Sequence, residues 1–147
     1  MLRRSFLALF TAMPFANAAY AAKPEIFAGL VEGVGAGGFD VVSFFTGTPA
    51  EGKAEFSTEW KGATWRFATA ENLAAFQSAP EKYAPQYGGY CAYGVAQGYA
   101  VKGEPEAWSV VDGKLYLNYS LEVRDQWKAD IPGFIATANT KWPKVLE

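Results

Sequence analysis

Two segments of the chain each predict a β-hairpin, the first from the alternation of large apolar and polar residues and the second from its turn residues between two apolar runs. In the first, over 56–67, aromatic residues alternate with polar ones on both sides of a two-residue turn at Lys61-Gly62. In the second, over 108–119, the turn falls at Asp112-Gly113, a dipeptide that suits a type I′ hairpin turn. A β-branched and aromatic run over 40–45 predicts one more strand.

Each predicted hairpin is followed by a helix signal. Thr69 is a good N-cap for a helix that begins near Ala70, and Ser120 is a good N-cap for a second helix. Pro132-Gly133 is expected to stop that second helix, and a last helix is expected from about 134 to 141. The pattern predicts an α+β fold, in which a small antiparallel sheet built from two hairpins has short helices packed on it. We find no internal repeat in the residue pattern.

The first residues are typical of an export signal. Arg3 and Arg4 precede the mostly apolar residues 5–19, and Ala19-Tyr20-Ala21 follows as a small-x-small cleavage site. We therefore expect residues 1–21 to be removed and the mature protein to be periplasmic in a bacterium. The arginine pair also partly resembles the twin-arginine export motif, so both that route and the general secretory route stay open.

The length of the chain limits the number of domains, and its charge limits the kinds of partner. The 147 residues argue for one domain, with a glycine-containing N-terminal arm over 22–37 and a single domain over 38–147. The formal charge of −2 gives no electrostatic reason to expect a nucleic-acid partner. The apolar part of the signal is shorter than the roughly 20 residues of a transmembrane helix, so no membrane span is expected after cleavage.

The residue types that the chain lacks exclude several kinds of chemistry. There is no histidine, and both methionines, Met1 and Met13, lie in the predicted signal, so Cys91 is the one soft ligand of the mature protein. An intramolecular disulfide and catalysis by a Cys–His pair are thereby excluded. Too few ligands remain for a structural zinc or copper site within one chain, so neither metal is expected and any other cofactor is unknown. A function without catalysis is favoured over an enzymatic one.

Four segments, taken in order, resemble the YHS-domain family, and in particular its small exported members, some of which contain selenocysteine. They are 38–45 (GFDVVSFF), 60–72 (WKGATWRFATAEN), 80–92 (PEKYAPQYGGYCA) and 111–120 (VDGKLYLNYS). The resemblance implies a small YHS-like α+β domain, related in outline to the metal-binding modules attached to copper-transporting ATPases and some monooxygenases.

The metal site of those modules is not implied for this chain. Where they tend to carry cysteines, the matching positions here are Ser43, Ala68 and Asn72. The resemblance does place Cys91 at the position that corresponds to selenocysteine, which makes it the candidate catalytic residue, as a redox thiol.

Cys91 has two interpretations. Gly88 and Gly89 precede it and allow a sharp turn that could present the thiol at a cleft, as a peroxide-reactive group or a ligand to a cofactor. The neighbouring Tyr90 and Tyr93 and the lack of nearby basic residues instead suit a small buried side chain with a raised pKa. The candidate ligand-binding residues beside it are Tyr87, Gly88, Gly89, Tyr90 and Tyr93, and the tyrosine cluster to which they belong also includes Tyr83 and Tyr99.

Three functions remain after these exclusions. The first is a periplasmic binding domain that holds a small ligand, a metal complex or another exported protein in an aromatic cleft near Cys91. The second is a thiol-based redox or peroxide-reactive protein that acts through Cys91. The third is a purely structural interaction domain. The missing catalytic groups favour the first.

Overall fold

The computed structural model describes residues 22–147, and the predicted export signal lies outside these residues. Within this range, none of the helices has the length and apolar character needed to cross a membrane. The strands are Lys53–Trp60 (β1), Ala63–Phe67 (β2), Glu104–Val111 (β3) and Lys114–Asn118 (β4). The α-helices are Ala70–Ser78 (α1), Pro80–Tyr83 (α2), Ala92–Gln97 (α3), Leu121–Lys128 (α4) and Ile131–Lys141 (α5).

The predicted α+β fold is confirmed, with two small sheets in place of one. β1 pairs antiparallel with β2, and β3 pairs antiparallel with β4, so each hairpin forms its own two-stranded sheet. Both predicted turns are present. Lys61 and Asp112 have φ of 48° and 50°, and the glycine after each has φ of 78° and 74°, which is the left-handed pair that a type I′ turn requires.

Both predicted helix caps are confirmed, but α5 begins earlier than expected. Thr69 Oγ1 accepts a hydrogen bond from the Asn72 N–H at 3.1 Å, and Ser120 Oγ accepts one from the Val123 N–H at 3.2 Å. Pro132-Gly133 does not separate two helices, because it lies in the first turn of α5. Asp130 caps that turn by accepting from the Gly133 N–H at 3.1 Å, and proline is well tolerated in a first turn.

The strand expected over 40–45 is absent from the described structure. Instead the Asp40 carboxylate accepts hydrogen bonds from the backbone N–H groups of Val42 and Ser43, and a 3-10 turn follows over Ser43–Thr46. A side chain that bonds its own following backbone competes with strand pairing, so the β-branched residues here enter a turn.

The expectation that the chain has no internal repeat is wrong. Residues 35–84 (repeat 1) and residues 86–135 (repeat 2) have the same order of elements at a constant spacing of 51 residues. β1 and β3 correspond, as do β2 and β4, and α2 and α5 begin at equivalent positions. Both hairpins also have a register shift at the same place, after Lys53 in β1 and after Glu104 in β3.

The backbone conformation makes the repeat unmistakable. Every non-glycine residue with positive φ in the described structure has its equivalent in the other repeat, since Ala36 pairs with Tyr87 and Lys61 pairs with Asp112. Four glycines with positive φ recur in the same way, as the pairs Gly37/Gly88, Gly38/Gly89, Gly47/Gly98 and Gly62/Gly113. Left-handed backbone is uncommon outside turns, so matched positions of this kind mark the same local fold twice.

The two apolar cores contain equivalent aromatic pairs, and the core around the pair of repeat 1 also includes Leu115 and Leu117 of repeat 2. In repeat 1 the rings of Trp65 and Phe76 lie 5.4 Å apart, and both side chains are buried. In repeat 2 the equivalent residues are Tyr116 and Trp127, with ring centroids also 5.4 Å apart. The two repeats are therefore two versions of one packing unit within a single chain.

The N-terminal arm contacts both repeats, with Ile26 in the core around Trp65, and it also bonds repeat 2 and the C-terminus. The Lys23 N–H donates to the Leu146 carbonyl at 2.8 Å, and the Phe27 N–H donates to the Gly88 carbonyl at 2.9 Å. The Tyr90 hydroxyl donates to the Pro24 carbonyl at 2.8 Å. The tyrosine and glycine segment before Cys91 is thus partly covered by the arm.

Candidate functional site

Asp40 in repeat 1 and Cys91 in repeat 2 are equivalent residues. Both follow the left-handed turn of their repeat and both side chains are buried, at 0% and 1% exposure. The Asp40 carboxylate accepts from the N–H groups of Val42 at 2.9 Å, Ser43 at 3.2 Å and Ala68 at 2.9 Å. The Asn72 side-chain amide also donates to this carboxylate, at 2.7 Å. Both carboxylate oxygens of Asp40 therefore have hydrogen-bond partners.

Cys91 lies among the equivalent backbone donors. The Gly94 N–H donates to Cys91 Sγ at 3.3 Å. The backbone N–H groups of Tyr93 and Tyr119 lower the pKa of the thiol, and that of Tyr93 donates its hydrogen bond to Asn118 Oδ1 at 3.0 Å. These three residues are the equivalents of Ser43, Val42 and Ala68. Repeat 2 therefore has a thiol where repeat 1 has a carboxylate, and of the three equivalent backbone N–H groups the one of Gly94 donates to the sulfur.

Asn118, at the end of β4, is the other polar side chain that contacts the thiol. Its Oδ1 accepts from the Cys91 thiol at 3.5 Å and from the Tyr93 N–H at 3.0 Å. Its Nδ2 is buried and has no hydrogen-bond partner in the structure. A buried donor without an acceptor carries a desolvation cost, so this group is available to any acceptor that reaches it.

Burial raises the pKa of the Cys91 thiol above its ordinary value. Desolvation is the larger cause, and the hydrogen bonds from Gly94, Tyr119 and Tyr93 act in the opposite direction without cancelling it. The thiol is therefore largely protonated at neutral pH. This result agrees with the interpretation of Cys91 as a buried side chain in the protein as described.

An apolar cleft of about 220 Å³ opens beside Cys91. No charged side chain lines it, and its lining consists of Cys91, Tyr93, Gly94, Gln97, Tyr99, Val101, Tyr119 and Val123. Five large apolar side chains are exposed in the described part of the chain, and three of them, Tyr99, Val101 and Tyr119, line this cleft. Apolar surface that is open to solvent is thus concentrated at the cleft.

At the equivalent place in repeat 1, polar side chains make hydrogen bonds. There the Asn72 side chain reaches Asp40, and the Ser43 hydroxyl accepts from the Ala50 N–H at 2.9 Å. Their equivalents in repeat 2 are Val123 and Gly94, which supply no polar side-chain group. The cleft therefore corresponds to a position that repeat 1 fills with its own side chains.

Ser43, Ala68 and Asn72, the positions that match cysteines of the metal-binding modules, all lie around Asp40. The backbone of Ser43 and of Ala68 and the side chain of Asn72 all donate to the one Asp40 carboxylate. The residues present offer hydrogen bonds to a carboxylate and no thiolate, so they do not fit a soft metal. Among residues 22–147, no group of three or more histidine, cysteine or acidic side chains is close enough to hold a metal ion.

The predicted ligand-binding residues lie at three different clefts. Tyr87 and Gly88 line a cleft of about 350 Å³, and Tyr90 lines a second one of about 490 Å³ between the arm and the domain. Of the predicted set, only Tyr93 shares the 220 Å³ cleft with Cys91. Gly89 is buried and continues the left-handed turn, with φ of 88°.

Tyr87 and Tyr90 have structural partners. The Tyr87 hydroxyl donates to Asn139 Oδ1 at 2.8 Å, the Tyr90 hydroxyl donates to the arm, and both rings pack against Trp142. Burial raises the pKa of both phenols. Their contacts indicate that these two tyrosines hold the N-terminal arm and the C-terminal segment against repeat 2.

Besides Gly94, which follows the predicted segment directly, four residues of the cleft were not among those predicted. Val101, Tyr119 and Val123 come from three separate segments, and Gln97 from the end of α3, so they become neighbours only when repeat 2 folds. The available signal was the recurrence of glycines at a spacing of 51 residues, which would have aligned these positions with the Asp40 site of repeat 1.

The fold and this site define a small α+β protein made of two equivalent units, one with a buried carboxylate and one with a buried thiol beside a cleft. Residues 41–87 match the family model of the YHS domain. The match begins directly after Asp40 and ends at Tyr87, and it covers most of repeat 1. No curated protein and no solved structure matches the chain.

Proposed function

We propose that the protein is an exported binding module that holds a small, uncharged and largely apolar ligand in the cleft beside Cys91. The observation that carries this proposal is the concentration of exposed aromatic and aliphatic side chains at that cleft. Export is part of the proposal because residues 1–21 have the pattern of a signal peptide.

The lining of the cleft supports the chemical class of the ligand. Tyr93, Tyr99 and Tyr119 offer flat ring faces, and Val101 and Val123 offer aliphatic contacts. With no charged side chain in the lining, a charged ligand would lose its hydration without gaining an ion pair. A volume of about 220 Å³ suits a ligand with a single ring.

Burial of the thiol weighs against the alternative of thiol-based catalysis. Rapid reaction with peroxide or a disulfide requires the thiolate, and the raised pKa of Cys91 keeps the proton on the sulfur at neutral pH. In the binding function Cys91 instead provides a small polarizable contact at the end of the cleft.

A cleft-filling substitution tests the proposal. We expect 4-fluorophenol, used as a probe and followed by fluorine NMR, to bind the native protein with a millimolar dissociation constant. Val123→Phe places a ring in the cleft and should weaken binding at least tenfold, which corresponds to about 1.4 kcal/mol. Val31→Phe is the control, because it makes the same change at an exposed valine, at 40%, that does not line the cleft.

The control variant should bind the probe as the native protein does. Binding that is unchanged in Val123→Phe would show that the probe occupies another cleft. No binding to the native protein at any accessible concentration of the probe would reject the proposed ligand class.

A further inference from the structure

The group of N–H donors around Cys91 is suited to two negatively charged oxygens. In repeat 1 the equivalent donors bind both oxygens of a carboxylate, with the N–H groups of Val42 and Ser43 on Oδ1 and that of Ala68 on Oδ2. In repeat 2 the acceptors are one neutral sulfur, which is a weak acceptor, and Asn118 Oδ1, which accepts from the Tyr93 N–H. The site in repeat 2 therefore has more donor capacity than the reduced thiol uses.

Asn118 supplies an independent sign that an acceptor is missing. Its side chain is fully buried, contacts the thiol through Oδ1, and leaves Nδ2 without a partner. In repeat 1 the fourth donor to the carboxylate is likewise a side-chain amide, that of Asn72, although it comes from a different position. Each repeat thus brings three backbone N–H groups and one amide side chain to the same place.

We propose that Cys91 is a modification site at which hydrogen peroxide produces a sulfinate that is bound as the Asp40 carboxylate is bound. A cysteine sulfinate has the same connectivity as aspartate, with sulfur in place of the carboxyl carbon, two oxygens and one negative charge. The N–H groups of Gly94 and Tyr119 and the free Nδ2 of Asn118 would then have charged acceptors, while the Tyr93 N–H already has the acceptor Asn118 Oδ1.

The reaction consumes two molecules of peroxide for each thiol. In the first step the sulfur attacks one peroxide oxygen, the O–O bond breaks, and a sulfenic acid and water form. In the second step the sulfenic acid releases its proton, the sulfur of the resulting sulfenate attacks another peroxide, the O–O bond breaks, and a sulfinate and a second water form. The sulfur loses two electrons in each step, and each peroxide is reduced to water.

The composition of the chain favours the second step. A sulfenic acid is normally removed by a neighbouring thiol, but Cys91 is the only cysteine in the sequence. No disulfide within the chain can therefore intercept the intermediate. Since burial raises the pKa of Cys91, we expect the oxidation to be slow and stoichiometric, unlike the fast turnover of a peroxidase.

The test is to expose the folded protein to graded hydrogen peroxide and to measure intact mass, the modified peptide and the thermal midpoint. We expect Cys91 to gain two oxygen atoms as the main product, and the oxidised protein to unfold at a midpoint equal to or above that of the reduced protein. A merely buried thiol predicts the opposite, because polar oxygens without partners would lower the midpoint.

A substitution that mimics the product provides a second measurement. Cys91→Asp should fold and unfold at a higher temperature than Cys91→Ala, since only the aspartate supplies oxygens to the donors. The proposal is overturned if Cys91→Asp is less stable than Cys91→Ala, if peroxide lowers the midpoint, or if Cys91 reacts only after the protein is unfolded.

Discussion

Repeat 1 and repeat 2 share the order of their elements and the positions of their left-handed turns, and they differ in what they bury at one equivalent position. Repeat 1 places a carboxylate, Asp40, among three backbone N–H groups and closes the surrounding space with Asn72. Repeat 2 places a thiol, Cys91, among the equivalent N–H groups and leaves an apolar cleft beside it, lined in part by Val123. The comparison separates the part of the site that belongs to the fold from the part that is specific to repeat 2.

The shared part is the arrangement of backbone donors. It arises from a left-handed turn, a helical turn that follows it, and the end of the second strand of each hairpin. Because these are backbone features, they persist although few side chains are the same in the two repeats. The specific part consists of Cys91, the tyrosines and valines of the cleft, and the unpartnered amide of Asn118.

The largest expected difference between the repeats is in the cost of removing the buried acceptor. Asp40→Ala leaves three backbone N–H groups and the Asn72 amide without an acceptor, and we expect a loss of about 3–5 kcal/mol in the free energy of unfolding. Cys91→Ala removes a small side chain and weak hydrogen bonds, so about 1–2 kcal/mol is expected. Urea unfolding of both variants measures the difference.

Asp40→Asn is the matched control for this prediction. It keeps the shape of the side chain but replaces one acceptor oxygen with an NH₂ group that faces other donors, so its stability should lie between those of the native protein and Asp40→Ala. Equal losses for Asp40→Ala and Cys91→Ala would show that the two sites are not built on the same donor arrangement.

Replacing the turn glycine of either hairpin should cause a smaller loss of stability. This loss should be the same in both repeats, because it depends on the backbone conformation alone. Gly62 and Gly113 have φ of 78° and 74°, and a Cβ added to either would meet no atom within 4 Å. Gly62→Ala and Gly113→Ala should therefore each cost about 1–2 kcal/mol, from left-handed backbone strain without a steric clash. Thermal unfolding of the two variants, with the pair combined in a double variant, checks this.

Additive and equal losses would confirm that the two turns are independent copies. A loss at one glycine more than twice the loss at the other would mean that one hairpin tolerates a change of turn that the other does not. The double variant matters because sites that are far apart and share no partners are expected to be additive.

Local features of the fold could be predicted from the sequence, and non-local ones could not. Thr69, Ser120 and the Asp112-Gly113 turn were predicted correctly, because a cap or a turn is determined by residues within a few positions of one another. For the segment 40–45, the β-branched residues predict a strand. In the structure the Asp40 carboxylate bonds the backbone that follows it, and the segment forms a turn instead. The repeat was missed because its signal is backbone conformation at spaced glycines, and side-chain similarity between the units is low.

The candidate site was predictable only in part for the same reason. Cys91 and Tyr93 follow from the sequence around the thiol, but Tyr119 and Val123 reach the cleft from the end of a hairpin and the start of a helix. Their proximity to Cys91 depends on how β4 and α4 pack on α3. A list of nearby tyrosines in the sequence therefore could not separate Tyr93 from Tyr87 and Tyr90, which have structural contacts.

The smallest expected effect is a difference in the response of the protein to alkaline pH. Repeat 2 contains Tyr87, Tyr90, Cys91 and Tyr116, and burial raises the pKa of each of them. A group with a raised folded-state pKa stabilises the protein below its unfolded-state pKa, and this contribution is lost as the pH rises toward the folded-state value. The ordinary thiol pKa of 9.0 is below the tyrosine value of 10.0, so Cys91 should be responsible for the first part of the decline.

Urea unfolding between pH 7 and 10.5 tests this assignment. The free energy of unfolding of the native protein should begin to fall near pH 9, because the unfolded state releases the thiol proton while the folded state retains it. Cys91→Ala should start from a lower stability and remain level until the tyrosines begin to ionise nearer pH 10. Curves that stay parallel from pH 8 to 10 would show that the thiol of Cys91 ionises as readily in the folded protein as in the unfolded chain. That result would require solvent access to the sulfur, and it would move the functional assignment of repeat 2 from ligand binding toward thiol chemistry.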